Sequence, residues 1–148
     1  MSEKLSAVEH IKTKSDGLRG TLKESIDLDN HTGNVRSDDE TLVKFHGMYV
    51  QDDRDRRAER AAKKLDKLYS FMIRLRIPGG VINANQWIAT HEISEQFGTG
   101  TLKITTRQTV QLHGLLKHQL RPTIQAFNTA KLDSIAACGD VNRNVIVS

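Results

Sequence analysis

Between residues 101 and 113 the chain alternates two kinds of side chain. Even positions give Leu102, Ile104, Thr106, Gln108, Val110 and Leu112, mostly suited to a core. Odd positions give Thr101, Lys103, Thr105, Arg107, Thr109, Gln111 and His113, each able to donate a hydrogen bond. On a continuous strand, or on a hairpin near 106–108 that keeps the parity, the odd residues become one face of donors. Such a face would suit a ligand with several carboxylates. Lys103 and Arg107 would make charge-assisted bonds to it, and hydroxyl and amide groups would fill the intervals. A solvated outer face of a sheet would give the same pattern. Arg74 and Arg76, two apart in a second alternating stretch, could share an anion with that face or lie in water. Arg143 sits in a polar turn between apolar runs and is ambiguous alone.

His113 closes the donor row beside Gly114 and reads as a hydrogen-bonded structural residue, since no HxxH or HxH spacing supports a metal. GxSxG, P-loop, GxGxxG and CxxC patterns are absent, leaving hydrolase, nucleotide and redox-thiol readings without a motif. Cys138 is the one cysteine, which excludes an internal disulfide and any cluster or zinc site built from this chain's thiolates alone. It has no cation in its immediate sequence and reads as a small buried residue.

Positioning these residues requires a sheet. Tyr69, Phe71, Ile73, Leu75 and Ile77 alternate with polar or flexible neighbours, predicting a strand that Pro78-Gly79-Gly80 ends. Asn83 can cap a helix running to Phe97, with Ala89, Ile93 and Phe97 recurring at i+4 and Gly98 stopping it. After the 101–113 stretch, a second helix is expected from Arg121-Pro122 through Ile124 and Phe127. Residues 132–137 and 141–147 are apolar enough for one further strand each. The order β-α-β-β-α-β specifies an α+β fold of ferredoxin-like type over residues 68–148.

Residues 1–67 read differently. The first 40 are polar, with no aromatic residue and with Gly17, Gly20 and Gly33 as breaks, and 30–34 reads as loop. They suggest an extended arm that cannot build a core without a partner surface. Residues 51–67 hold 12 charged side chains in 17 and read as a solvated helix or loop. Hydrophobic residues make up 37% of the 148, and 22 basic against 18 acidic side chains give a net charge of +4. That balance is too small to argue for nucleic acid. A charged opening and short apolar runs predict a reduced, soluble, cytoplasmic protein.

Three blocks carry a resemblance. Arg74-Leu75-Arg76-Ile77-Pro78-Gly79-Gly80, the stretch from Leu102 to Gly114, and Gly139-Asp140-Val141-Asn142-Arg143-Asn144-Val145 together resemble the nitrite/sulfite reductase family. Leu18-Arg19-Gly20-Thr21 and the run from Lys44 to Asp55 are similar to the haemoprotein (beta) subunits of its NADPH-dependent assimilatory members. The resemblance implies reduction of sulfite to sulfide with six electrons at a sirohaem joined to a 4Fe–4S cluster. It implies a flavoprotein (alpha) partner carrying FAD and FMN. It implies that Arg74 and Arg143 grip the substrate anion. It implies further that Lys103, Thr105, Thr106, Arg107, Gln111 and His113 lie along the sirohaem and its carboxylates. Close relatives would carry arginine where Lys103 stands. The cluster's four cysteines and a second half-domain are not in these residues, so the expectation is an amino-terminal piece, inactive alone and binding neither cofactor stably. The resemblance leaves two other readings open: a ferredoxin-dependent member of the family, or a free-standing binding module.

Overall fold

A computed structural model describes residues 5–27, 33–139 and 141–147, so part of the loop expected at 30–34, and Asp140 of the third block, lie outside it. The described residues among the first 40 form helices and turns rather than the expected extended arm. Helix α1 (Ala7–Lys14) starts on Ser6, whose hydroxyl accepts from the Glu9 amide at 3.3 Å. Helices α2 (Leu22–Asp27) and α3 (Ser37–Leu42) follow. Buried Asp39 joins them: its carboxylate accepts from the Thr21 amide (3.1 Å), the Thr21 hydroxyl (2.7 Å) and the Ser25 hydroxyl (2.5 Å). Leu22, Val35, Leu42 and Val43 belong to the same hydrophobic core as the sheet. The surface that a segment so poor in apolar residues requires is therefore supplied by the rest of its own chain.

A short 3-10 turn at Val43–His46 ends at Gly47, where φ is +83° and a Cβ would lie 2.1 Å from the Ser134 carbonyl oxygen. Only glycine fits there. The chain then enters β1 (Met48–Asp52), an edge strand paired antiparallel with β2 (Tyr69–Arg74) in the register Met48↔Ile73. Between them α4 (Arg57–Ala62) is solvated, as its charge predicts, with Arg57–Asp52 (2.8 Å) and Lys63–Glu59 (2.6 Å) ion pairs.

Helix α5 (Ala84–Phe97) is the one the sequence predicts. The Asn83 side chain accepts from the Gln86 amide, the Gln86 side chain accepts from the Asn83 amide, and Gly98 ends the helix. Strands β3 (Leu102–Ile104) and β4 (Val110–Leu115) form a hairpin in the register Lys103↔Gln111. The turn at 106–108 has Gln108 at φ +56°, and the parity of the donor row survives it. Helix α6 (Leu120–Thr129) carries Pro122 in its first turn. The antiparallel sheet has the order β1-β2-β4-β3. Phe71, Ile73, Val110 and Leu112 share a core with Ile93 of α5 and Leu120 and Phe127 of α6. Alternate residues of those strands face the other way.

The expected strands over 132–137 and 141–147 are not formed. Asp133 makes an isolated antiparallel bridge to Arg76, and Gly79 donates to the Val145 carbonyl. The reason lies in β1, which already pairs the β2 edge over residues 69–73 where a returning strand would dock. Among the described residues, no helix is long and apolar enough to cross a membrane.

Candidate functional site

The face of the sheet away from α5 and α6 gathers polar side chains from several segments. Arg74 ends β2, and its register partner on β4 is Gln111, whose partner on β3 is Lys103. The Gln111 carboxamide turns its oxygen to the Arg74 guanidinium, 2.8 Å from Nε and 2.5 Å from Nη2, and its nitrogen to Nε2 of His113 at 3.3 Å. His113 Nδ1 lies 3.0 Å from Oε1 of Gln51 on β1. With Nε2 accepting, Nδ1 holds the proton and donates to Gln51, so the imidazole is neutral. Its surroundings favour that state. Burial, and then the charges of Lys103 and Arg74, lower its pKa from the ordinary 6.5.

At the end of this row the β3–β4 turn meets the segment after α6. Arg74 Nη1 donates to the Ala137 carbonyl (3.3 Å), and Arg143 Nε donates to that of Gly139 (3.2 Å). Arg74, Thr105, Thr106, Arg107 and Arg143 line one cavity of about 90 Å³, with Asn144 at its wall. The charge of three arginines around so small a space suits a small anion. Two guanidiniums can bind different oxygens of one oxyanion, while the threonine hydroxyls supply neutral donors.

The structure thus brings Arg74, Arg143 and the Thr105–Arg107 turn together and sets Lys103, Gln111 and His113 along the same face. Gln111 donates to His113 within the row, and His113 donates to Gln51 on β1. Thr109, a member of the donor row, also lines the cavity, but it is buried and its hydroxyl is spent on the Leu75 carbonyl. Arg76 does not line the cavity. Cys138 is buried as expected, but the fold sets Arg74 and Arg143 near it. Burial raises the thiol's pKa, and the two arginines oppose that rise. Among the described residues, no group of three or more His, Cys, Asp or Glu is placed to hold a metal ion.

Sequence reasoning misses three contributors. Gln51 holds His113. Tyr49 accepts from the Gly139 amide through its hydroxyl at 3.4 Å. Asn144 is buried, accepting from the Ile77 amide (2.7 Å) and donating to the carbonyls of Ile77 (2.6 Å) and Arg107 (2.7 Å). The alternation Met48-Tyr49-Val50-Gln51 straight after Gly47 could have revealed the first two. The third, Asn144, beside Arg143 in a polar turn that also holds Asn142, carries no comparable signal.

Comparison with known proteins points to one family. Residues 63–130 match the family model described as the nitrite/sulfite reductase ferredoxin-like half domain. The chain resembles the nitrite/sulfite reductase family. Over 144 residues it is 63% identical to the protein of Leptospira biflexa serovar Patoc named sulfite reductase (NADPH) hemoprotein beta-component, covering 97% of this chain and 26% of that one. A protein of the same name from Methylobacterium nodulans is 59% identical over 144 residues, covering 97% and 24%. The chain thus spans about a quarter of the length of the curated relatives it matches. Its fold superposes on the solved structure of Mycobacterium tuberculosis NirA with a TM-score of 0.78 and 25% identity, covering 99% of this chain and 28% of that one.

Proposed function

We propose that this chain forms one wall of the sirohaem pocket and part of the substrate-anion site in a cytoplasmic sulfite reductase haemoprotein. The complete enzyme would reduce sulfite to sulfide with six electrons, drawn from NADPH through a flavoprotein (alpha) partner carrying FAD and FMN. The observation that carries the reading is the convergence of Arg74 and Arg143, far apart in sequence, on one small cavity with the Thr105–Arg107 turn. Identity of 63% to a relative named for NADPH and sulfite supports the choice of substrate and donor.

The donor set fits a macrocycle bearing many carboxylates. Lys103, Thr105, Thr106 and Arg107 offer two cations and two hydroxyls along one edge of the face, while Gln111 and His113 lie beside Arg74 and fix its guanidinium. Bound there, sirohaem would supply electrons to the sulfur of the anion. The residues of this chain would do the rest of the local work. Arg74 and Arg143 would hold the oxyanion and stabilise negative charge as it gathers on the departing oxygen, which also makes that oxygen easier to protonate. The same residues do not fit a 4Fe–4S cluster, because Cys138 is the single cysteine and is buried. In this proposal the cluster's thiolates come from elsewhere in the complete protein, and these 148 residues alone reduce nothing.

Replacing Arg143 by alanine in the complete enzyme tests the reading. Sulfite reduction should fall by about a hundredfold or more while the sirohaem absorption spectrum is retained. Wild-type turnover would overturn it. Assaying the complete enzyme with NADPH plus flavoprotein against ferredoxin decides the electron donor.

A further inference from the structure

We infer that Asn144 is the positioning residue of the anion cavity: one buried carboxamide sets the spacing between the three segments that carry Arg74, Arg107 and Arg143. This rests on the reading of the cavity as the sulfite site. Asn144 is 3% exposed and uses its side chain fully. Oδ1 accepts from the Ile77 amide at 2.7 Å, and Nδ2 donates to the carbonyls of Ile77 at 2.6 Å and Arg107 at 2.7 Å. Ile77 lies three residues beyond Arg74 on the continuation of β2. Arg107 is the centre of the β3–β4 turn, and Arg143 is the neighbour of Asn144 in the chain.

Ordinary sheet pairing does not provide this link. The β2–β4 ladder ends at Arg74↔Gln111, and β3 pairs only with β4. Beyond that point the turn approaches β2 through the Leu75–Val110 and Thr109–Leu75 bonds, and the next contact outward is the Asn144 carboxamide. No other side chain type makes the same three bonds in this space. Aspartate keeps the acceptor but turns an oxygen toward two carbonyls, and serine can donate to one of them at most. Displacing a guanidinium by a fraction of an ångström is enough to weaken its hold on a small anion.

The test uses the complete, sirohaem-loaded protein, with sulfite affinity read by titrating the sirohaem absorption. Asn144→Asp should raise the sulfite Kd by about tenfold, and Asn144→Ser should raise it in the same direction. Either variant alone gives the reading should the other fail to load sirohaem. Asp39→Asn, at a buried site remote from the cavity, should lower the melting temperature and leave the Kd unchanged. A wild-type Kd in loaded Asn144 variants overturns the inference, as does an equal rise in Asp39→Asn. The functional reading fails separately: it falls if Arg143→Ala leaves the sulfite Kd unchanged, whatever the Asn144 variants do.

Discussion

The imidazole of His113 accepts a hydrogen bond from Gln111, and that acceptance is available only while Nε2 is unprotonated. Its folded pKa lies below 6.5, because burial and two nearby cations disfavour the charged ring. The unfolded chain therefore binds more protons than the folded one between the lowered pKa and 6.5. Stability contributed by the neutral ring is fully present above 6.5 and is lost as the pH falls through that window. The complete protein should show a melting temperature that declines on acidification below about pH 6.5. His113→Asn should flatten that decline, and a variant with an unchanged acid limb would place the titration elsewhere. At this scale the sequence was informative about type and less so about employment. The parity of residues 101–113 found Lys103, Gln111 and His113 on one face. It could not say that Gln111 and His113 would bond each other, because their partners Arg74 and Gln51 come from strands distant in the chain.

Among the elements, those with local punctuation were the ones legible in advance. Asn83, Gln86 and Gly98 mark both ends of α5 within their own neighbourhoods, and Pro122 marks the start of α6. β1 is marked only by Gly47 at its start, and its choice of the β2 edge depends on tertiary packing. The strand expected over 132–137 failed for the same cause, since its pattern was adequate but its docking edge was occupied. Gly80 illustrates how a turn supports the site from behind. Its φ is +69°, and a Cβ there would lie 2.8 Å from that of Gln108, at the end of the turn that presents Arg107. Gly80→Ala should cost about 1–3 kcal/mol through strain and crowding. Calorimetry of the complete protein should record a lower melting temperature, and no change would mean that the turn yields freely.

Taken as a whole molecule, the amino-terminal helices are part of the domain they precede. Leu22 and Val35 pack in the core that includes Leu42, Val43 and the sheet, and Lys117 Nζ donates to the Asn34 carbonyl at 3.2 Å. Deleting residues 1–40 from the complete protein should therefore expose core residues and remove most soluble, sirohaem-bearing product. Full recovery of soluble holoprotein on a size-exclusion column would show that the segment is dispensable for folding. Its composition suggested a need for a partner surface, and in the structure Leu22 and Val35 pack into the core of the same chain. The identity of the surface was not legible, because nothing in these mostly polar 40 residues names the apolar face they will cover.

The three segments tied by Asn144 also set a rule for the order of synthesis. A nascent chain that has released residues through the β3–β4 hairpin already owns Arg74 and Arg107, and can pair β2 with β4. The turn is then hydrogen-bonded to Leu75 but lacks its link to Ile77 through Asn144, and Arg143 has not been made. The cavity is completed only when Asn144 leaves the ribosome and finds both carbonyls. A chain cut a few residues short of that point would keep its sheet, its helices and most of its core, and would have no anion pocket.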